Sequence, residues 1–394
     1  MNTTNLFASL GLFALVASGC TAATSHAQHA PKLLPISQRI QQYVDQKEIA
    51  GAVTVVAKPD RIVHLDAVGF SDLASKTPMR PDNIFWIASM TKPITATAVM
   101  MLAEQRLLSI NDPVEKYLPE FAKLKTPDGS PANITLRHLL THTAGLSENT
   151  AEETKAAKTL SDLIPSFTAR PLQFAPGSKW QYSQTAINSL GRIVEIVAGQ
   201  PFEIFLENRL FRPLAMTDTT FYLSPAQKSR LAKSYKLTNG QLEEAAVFIL
   251  DDHDVTYRTR YPAANGGLFS TAADYTRFAQ MILNEGTLDG KRFLKPESVK
   301  FMTTAATADL KTGFTDGNAW ALGWCVVRQP QGPSAALSPN SFGHGGAYGT
   351  QAWIDPVKKT AYILMVQRAN FPNADASDLR RDFQNSAAPL ANEP

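Results

Sequence analysis

The sequence predicts an α+β fold: an antiparallel sheet built from both ends of the chain, flanked by helices, with a mostly helical region inserted between the halves. Three observations predict it. Strand-like runs fall at Gly51–Lys58 and Arg61–Phe70, and again at Trp320–Gln329, Gly349–Ile354 and Thr360–Gln367. Helical spacing of apolar residues fills most of positions 150–305. The links Pro59-Asp60 and Asp355–Lys359 are short turn signals, and short turns join antiparallel strands.

Residues 1–29 stand outside this fold. Leu6 to Val16 is a short apolar run, followed by small residues and then the polar stretch Thr21–His29. This is the layout of an export leader, too short to span a bilayer. Ala17-Ser18-Gly19-Cys20 resembles a bacterial lipoprotein signal with Cys20 as the lipidated residue; ordinary cleavage near Ala27 is the alternative. The expectation is an exported, periplasmic protein, anchored to the membrane where Cys20 carries a lipid. One folded domain then covers 30–387, with its sheet part at about 33–88 and 306–387 and its helical part at about 89–305. The second cysteine, Cys325, is left without a partner and reads as a small buried hydrophobe. The chain is 44% apolar and 19% charged with net charge +3, and it has no Lys/Arg block. Nothing in that balance points to nucleic acid, and no protein partner is implied.

In chain order, Pro35–Lys47 has helical spacing through Ile36, Ile40, Tyr43 and Val44. The two N-terminal strands follow, and Met79–Trp86 leads into a helix over Ser89–Arg106 that is apolar on all sides, as a buried helix is. Ile134–Gly145 predicts a short helix from near Thr135, ended by Gly145. Its His138 and His142 have the four-residue spacing of a metal pair. The His-Glu-x-x-His arrangement is broken by Leu139, so helix packing is the expected use. Further helices are expected at Leu160–Thr168, Thr185–Ala198, Pro201–Leu210, Thr271–Gly286 and Pro296–Met302. A hairpin at Tyr235–Ile249 turns at Asn239-Gly240. Asp251-Asp252-His253 reads as a solvated loop rather than a metal site. A helix over Asp375–Asn385 closes the domain. No metal and no organic cofactor is called for.

The chemistry centres on Ser89-Met90-Thr91-Lys92. Residues three apart share a helix face, so the Ser89 hydroxyl and the Lys92 amine converge. Serine is a weak nucleophile without a nearby base, and a desolvated lysine loses its proton more readily. Two later stretches offer the remaining parts of a serine hydrolase. Tyr182, in Trp180-Gln181-Tyr182-Ser183-Gln184, sits just before a helix, where its phenol could reach Ser89 and shuttle a proton. Phe342-Gly343-His344-Gly345-Gly346-Ala347 crowds glycines around one histidine at a strand start. Glycine there marks close approach to the backbone, and the Ala347 N–H is a candidate oxyanion donor.

These stretches resemble the serine β-lactamase and penicillin-binding protein superfamily, in the branch of class C β-lactamases, D-Ala-D-Ala carboxypeptidases and family VIII carboxylesterases. Ser89-Met90-Thr91-Lys92 is similar to its Ser-x-x-Lys motif, Tyr182-Ser183-Gln184 to Tyr-x-Asn, and His344-Gly345-Gly346 to Lys-Thr-Gly or His-x-Gly. Leu139–Leu146 and Gly266–Ala272 are further matches, and the likeness covers about residues 33 to 385. Gln184 replaces the family asparagine. A literal Lys311-Thr312-Gly313 is rejected as the third motif because no strand follows it at once, and Ser338-Pro339-Asn340 falls out of order.

The resemblance implies a β-lactamase/transpeptidase-like fold and an acyl-enzyme route without a cofactor. Ser89 attacks a carbonyl, Lys92 and Tyr182 move its proton, and the N–H groups of Ser89 and Ala347 hold the oxyanion. Gln184, His344, Gly345 and Gly346 complete the substrate-binding set. His344, charged only below its ordinary value near 6.5, stands where class C enzymes keep a fixed cation. A neutral small-molecule ester is therefore the expected substrate, with weak β-lactam hydrolysis alongside. The alternatives are a class C-type β-lactamase, or a D-Ala-D-Ala carboxypeptidase or D-aminopeptidase-like peptidase acting on an amide. Of another class is a catalytically silent penicillin-binding sensor, against which the intact Ser89, Lys92 and Tyr182 argue.

Overall fold

The computed structural model describes residues 34–250 and 254–392. Cys20 and the Asp251-Asp252-His253 cluster lie outside the described residues. Eight antiparallel strands form the main sheet, in the order 318–320, 325–327, 342–345, 351–355, 360–366, 51–57, 62–72, 77–78. Both chain ends thus contribute, and they meet where Gly51–Ala57 pairs with Thr360–Val366, Val53 opposite Met365 and Val55 opposite Ile363.

Both central strands are buried along their whole length, which is why they read as unbroken apolar runs rather than alternating ones. Alternate residues still serve different cores. Ala52, Val56, Tyr362, Leu364 and Val366 pack with Ile36 and Ile40 of the first helix and Leu379 and Phe383 of the last. Val53, Val55, Ala361, Ile363 and Met365 face the opposite core, with Phe278 and Met281 of the Ala272–Leu283 helix. The terminal helices therefore cover one face, and a helix from the middle of the chain covers the other.

Local structure corrects several expectations. The 134–145 stretch is helical only over Leu136–Leu140, because His142 itself takes the left-handed conformation (φ 58°) and turns the chain before Gly145. Trp320–Gln329 is not one strand. Asn318–Trp320 and Cys325–Val327 pair across a tight turn, with Gly323 at φ 78°. Phe342–Gly345 is a strand of its own, so His344 lies within a strand and not ahead of one. The closing helix runs Asp378–Ala391. Ile84–Trp86 pairs with Phe269–Thr271 in a separate two-stranded ladder, a long-range pairing between three-residue segments that no periodicity announces. The hairpin at Asn239-Gly240, with both residues at positive φ, is as expected, and Cys325 is buried with a free thiol.

Gly323 ties the sheet to the buried helix Thr91–Glu104. A Cβ there would lie 2.6 Å from Ala96 Cβ and 3.3 Å from the Lys92 carbonyl oxygen, and the positive φ adds backbone strain. Gly323→Ala is expected to destabilise the fold by about 1–3 kcal/mol, read as a lower denaturation midpoint in urea; an unchanged midpoint would show that the helix can move aside.

Candidate active site

Ser89 sits in a single 3₁₀ turn, Ala88–Met90, that feeds the helix Thr91–Glu104. The turn is clamped on several sides. Ile87 N–H donates to Leu268 O (3.0 Å), Trp86 Nε1–H to Gly266 O (2.7 Å), Thr91 Oγ1–H to Ala88 O (2.7 Å) and Tyr275 O–H to Met90 O (3.0 Å). Every residue from Thr91 to Leu102 is buried, which explains why the helix is apolar all round. Lys92, with no exposed surface at all, is the one ionisable side chain among them, beside the buried Thr91, Thr95 and Thr97.

The Lys92 Nζ has three oxygen neighbours: Ser89 Oγ at 3.0 Å, Gln184 Oε1 at 2.9 Å and Asn265 O at 2.7 Å. None is a carboxylate. Burial holds the amine well below the usual lysine range, with the more distant Glu148 carboxylate opposing weakly. A neutral amine fits these partners fully. It donates two N–H bonds to Gln184 and Asn265 and turns its lone pair to the Ser89 hydroxyl. Gln184 is the first residue of the helix Gln184–Ala198, and its Oε1 also accepts from Asn265 Nδ2 at 2.8 Å. The longer amide therefore spans from Lys92 to Asn265.

Tyr182 is held from two sides. Ser183, the helix N-cap, donates its N–H to His142 Nδ1 (3.1 Å) and accepts from Ala186 N–H (3.1 Å). Glu148 accepts from the Gln184 and Thr185 N–H groups at the same helix start (2.8 and 3.2 Å). The phenol hydrogen-bonds Ser89 and lies 3.4 Å from His344 Nε2, and its ring faces Lys92 Nζ at 4.5 Å. Burial pushes the Tyr182 hydroxyl well above its ordinary value, with the Ser89 bond pulling the other way. Tyr182 thus stays protonated, and Lys92 is the group of the pair that more readily gives up its proton and is available as a base.

His344 Nδ1–H donates to Gly345 O at 2.7 Å, which leaves Nε2 as an acceptor towards Tyr182. Burial lowers His344 to about 3, and any proton held by Lys92 acts in the same direction. The expectation that it gains charge below about 6.5 is therefore corrected: the folded protein keeps it neutral through the whole working range.

The structure brings Ser89, Lys92, Tyr182, Gln184 and His344 together. Ser89 and Ala347 line one cleft of about 380 Å³, and among the described residues neither backbone N–H has a protein acceptor. Gly345 and Gly346 do not line it. Both are buried, and a Cβ on Gly345 would overlap Asp375 Oδ1, while one on Gly346 would lie 2.6 Å from Ile87 O. Their small size lets the strand approach the Ser89 turn. Lys311-Thr312-Gly313 is a loop, with Lys311 exposed and Thr312 Oγ1–H donating to Asn318 O.

Three contributors escaped the sequence reading. Asn265 directly precedes the Gly266-Gly267 pair that was noted, and this position was its only signal. Glu148 gave none. His142 has the four-residue spacing to His138 that suggests a pair, but the two serve separate backbone groups: His138 Nδ1 accepts from Thr135 N–H, and His142 Nδ1 from Ser183 N–H. Burial keeps His142 neutral.

A beta-lactamase family model matches residues 36–386. Esterase EstB of Burkholderia gladioli is 30% identical over 361 residues, spanning 83% of this chain and 88% of that protein. A protein of Escherichia coli strain K12 named "Putative D-alanyl-D-alanine carboxypeptidase" is 26% identical over 385 residues, spanning 90% of this chain and 87% of its own. The solved structure of EstCE1, described as a hydrolase with promiscuous acyltransferase activity, superposes with a TM-score of 0.75 at 25% identity, over 90% of this chain and 97% of that one.

The buried histidines set an acid limit on stability. His344 titrates near 6.5 when unfolded and at about 3 when folded. Between these values the unfolded chain binds more protons, so stability is complete above about 6.5 and is lost as pH falls towards 3. His142 acts in the same direction. The urea midpoint is expected to fall steadily from pH 7 to pH 4, by up to about 1.4 kcal/mol per pH unit for each histidine, and to fall less steeply in His344→Gln. A flat midpoint between pH 7 and 5 would contradict burial of the neutral rings.

Proposed function

The chain belongs to the beta-lactamase family of serine hydrolases, and from that premise we propose that it is a carboxylesterase working through an acyl-enzyme on Ser89. Lys92 accepts the Ser89 proton as Oγ attacks the ester carbonyl. The Ser89 and Ala347 N–H groups take the developing oxyanion, the kind of donor whose removal typically costs about a hundred- to a thousand-fold in rate. Tyr182, protonated and bonded to Ser89, carries the proton onward to the leaving alcohol, and His344 Nε2 orients the phenol. Water then releases the acid and restores Ser89.

The observation that carries the ester reading is the neutral His344. A β-lactam or a peptide C-terminus brings a carboxylate, and a neutral ring held by Gly345 offers it no charge. A neutral ester needs none. EstB, an esterase at 30% identity, supports the same reading. The Escherichia coli relative favours a peptidase as the second reading, and Gln184 bears on it: its amide nitrogen has no protein partner among the described residues and lines the cleft, where a substrate amide could meet it.

The test compares kcat/KM for p-nitrophenyl butyrate and for a chromogenic cephalosporin, with mass spectrometry of the acyl adduct. The ester is expected to turn over faster, through a transient adduct on Ser89, and Ser89→Ala to abolish both. Lys92→Ala is expected to lose about a hundred- to ten-thousand-fold. Equal or better cephalosporin turnover would sink the ester preference, and a lasting adduct would sink hydrolysis as the function.

A further inference from the structure

The cleft that begins at Ser89 does not end there. From Ser89, Gln184 and Ala347 it runs outward past Ala157, Leu163, Phe167, Leu250 and Tyr261. All five of those side chains are buried. The helix Ala151–Ala156, fixed at its start by a Thr150–Glu153 capping box and by an ion pair from Glu153 to Arg170 (2.6 Å), forms part of the outer wall. The charged residues Lys155 and Lys158 lie exposed at the rim, and the buried Arg260, whose Nε and Nη1 have no hydrogen-bond partner among the described residues, lines the cleft together with Asn149 and Asn188. Glu148, also in the wall, has its carboxylate occupied by the N–H groups of Gln184 and Thr185.

Tyr182 and His344 are absent from this lining. That asymmetry assigns the cleft. When Ser89 Oγ bonds the carbonyl carbon, the bond from that carbon to the alcohol oxygen breaks, and the alcohol oxygen must receive a proton. The group placed to deliver it is Tyr182, so the alcohol leaves on the Tyr182 side. The acyl group stays on Ser89 and must lie on the other side, along the apolar cleft. Water later adds to the carbonyl carbon, the bond to Oγ breaks, and Oγ regains a proton.

Resting on the ester reading above, we infer that the cleft is an acyl pocket for an apolar acyl group of on the order of ten carbons. A methylene fills about as much space as a water molecule, roughly 30 Å³, and the cleft holds about 380 Å³. An acetyl group would leave most of it to water. Cavities of this size enclose most of a ligand of this bulk, and the apolar part of this mixed wall is the stretch formed by Ala157, Leu163, Phe167, Phe248 and Leu250. The alcohol part, by contrast, meets no such enclosure.

The experiment measures kcat/KM of the full-length enzyme on p-nitrophenyl esters from acetate to decanoate, and by pH-stat on acetates of alcohols of the same lengths. With the acyl chain, kcat/KM is expected to rise by up to about threefold per methylene until the cleft is full. With the alcohol chain it is expected to stay within about twofold overall. Ala157→Phe, which narrows the cleft, is expected to move the optimum to shorter acyl chains. A flat or falling acyl series with Ser89-dependent turnover would overturn the acyl pocket and leave the esterase standing. So would a rise with alcohol length instead. Absence of ester turnover would overturn the esterase and the pocket together.

Discussion

The structure depends on keeping one amine dry. Lys92 has no exposed surface, and an ammonium taken fully out of water costs several kcal/mol unless it is paired. The protein does not pair it with a carboxylate. It surrounds Nζ with the Ser89 hydroxyl, the Gln184 amide oxygen and the Asn265 carbonyl. Those oxygens would accept from an ammonium as well; it is burial, with no carboxylate in contact, that lowers the amine towards its neutral form. Each partner comes from a different part of the chain. The turn Ala88–Met90 before the buried helix brings Ser89, the start of the Gln184–Ala198 helix brings the amide, and the segment before the Phe269–Thr271 strand brings the carbonyl.

The remaining site follows from that choice. A neutral Lys92 lets its neighbour Tyr182 remain a protonated phenol, and Tyr182 in turn needs an acceptor that carries no charge. His344 meets the need because its Nδ1–H is committed to Gly345 O. The glycines around His344 then have a structural explanation. Gly345 clears Asp375 and Gly346 clears Ile87, so the strand can lie against the Ser89 turn.

Much of this was legible in the sequence, and the pattern of what was missed has a physical cause. Ser89 and Lys92 are three residues apart, so local helix geometry alone brings them together. The central strands are apolar along their length, and that marks a sheet covered on both faces. Tyr182 and His344 were found through the order of their motifs. Asn265 and Glu148 were not, because both act through contacts between segments distant in sequence, and Asn265 through a backbone oxygen that any residue could offer. The Ile84–Trp86 ladder escaped for the same reason, since a three-residue strand has no period. The charge state of His344 could not be read from its reference value, because burial decides it.

Two strained residues show how the site is held ready before any substrate arrives. Ala88, immediately before Ser89, has φ 46°, and His142, which holds Ser183, has φ 58°. Neither is glycine, and such conformations cost on the order of 1–3 kcal/mol each. They persist only where the surroundings outweigh that cost. Ala88 is fixed by Thr91 Oγ1–H on its carbonyl and by the Ile87–Leu268 bond beside it, and His142 by its packing against Tyr182 and Trp320. The strain falls on the two backbone segments that set where Oγ and the phenol sit. A site that reacts by stabilising a developing oxyanion gains most when its groups need no rearrangement. The strain therefore belongs to the same design as the dry lysine: the fold's stability is spent on fixing Ser89 and Tyr182 in place before any substrate binds.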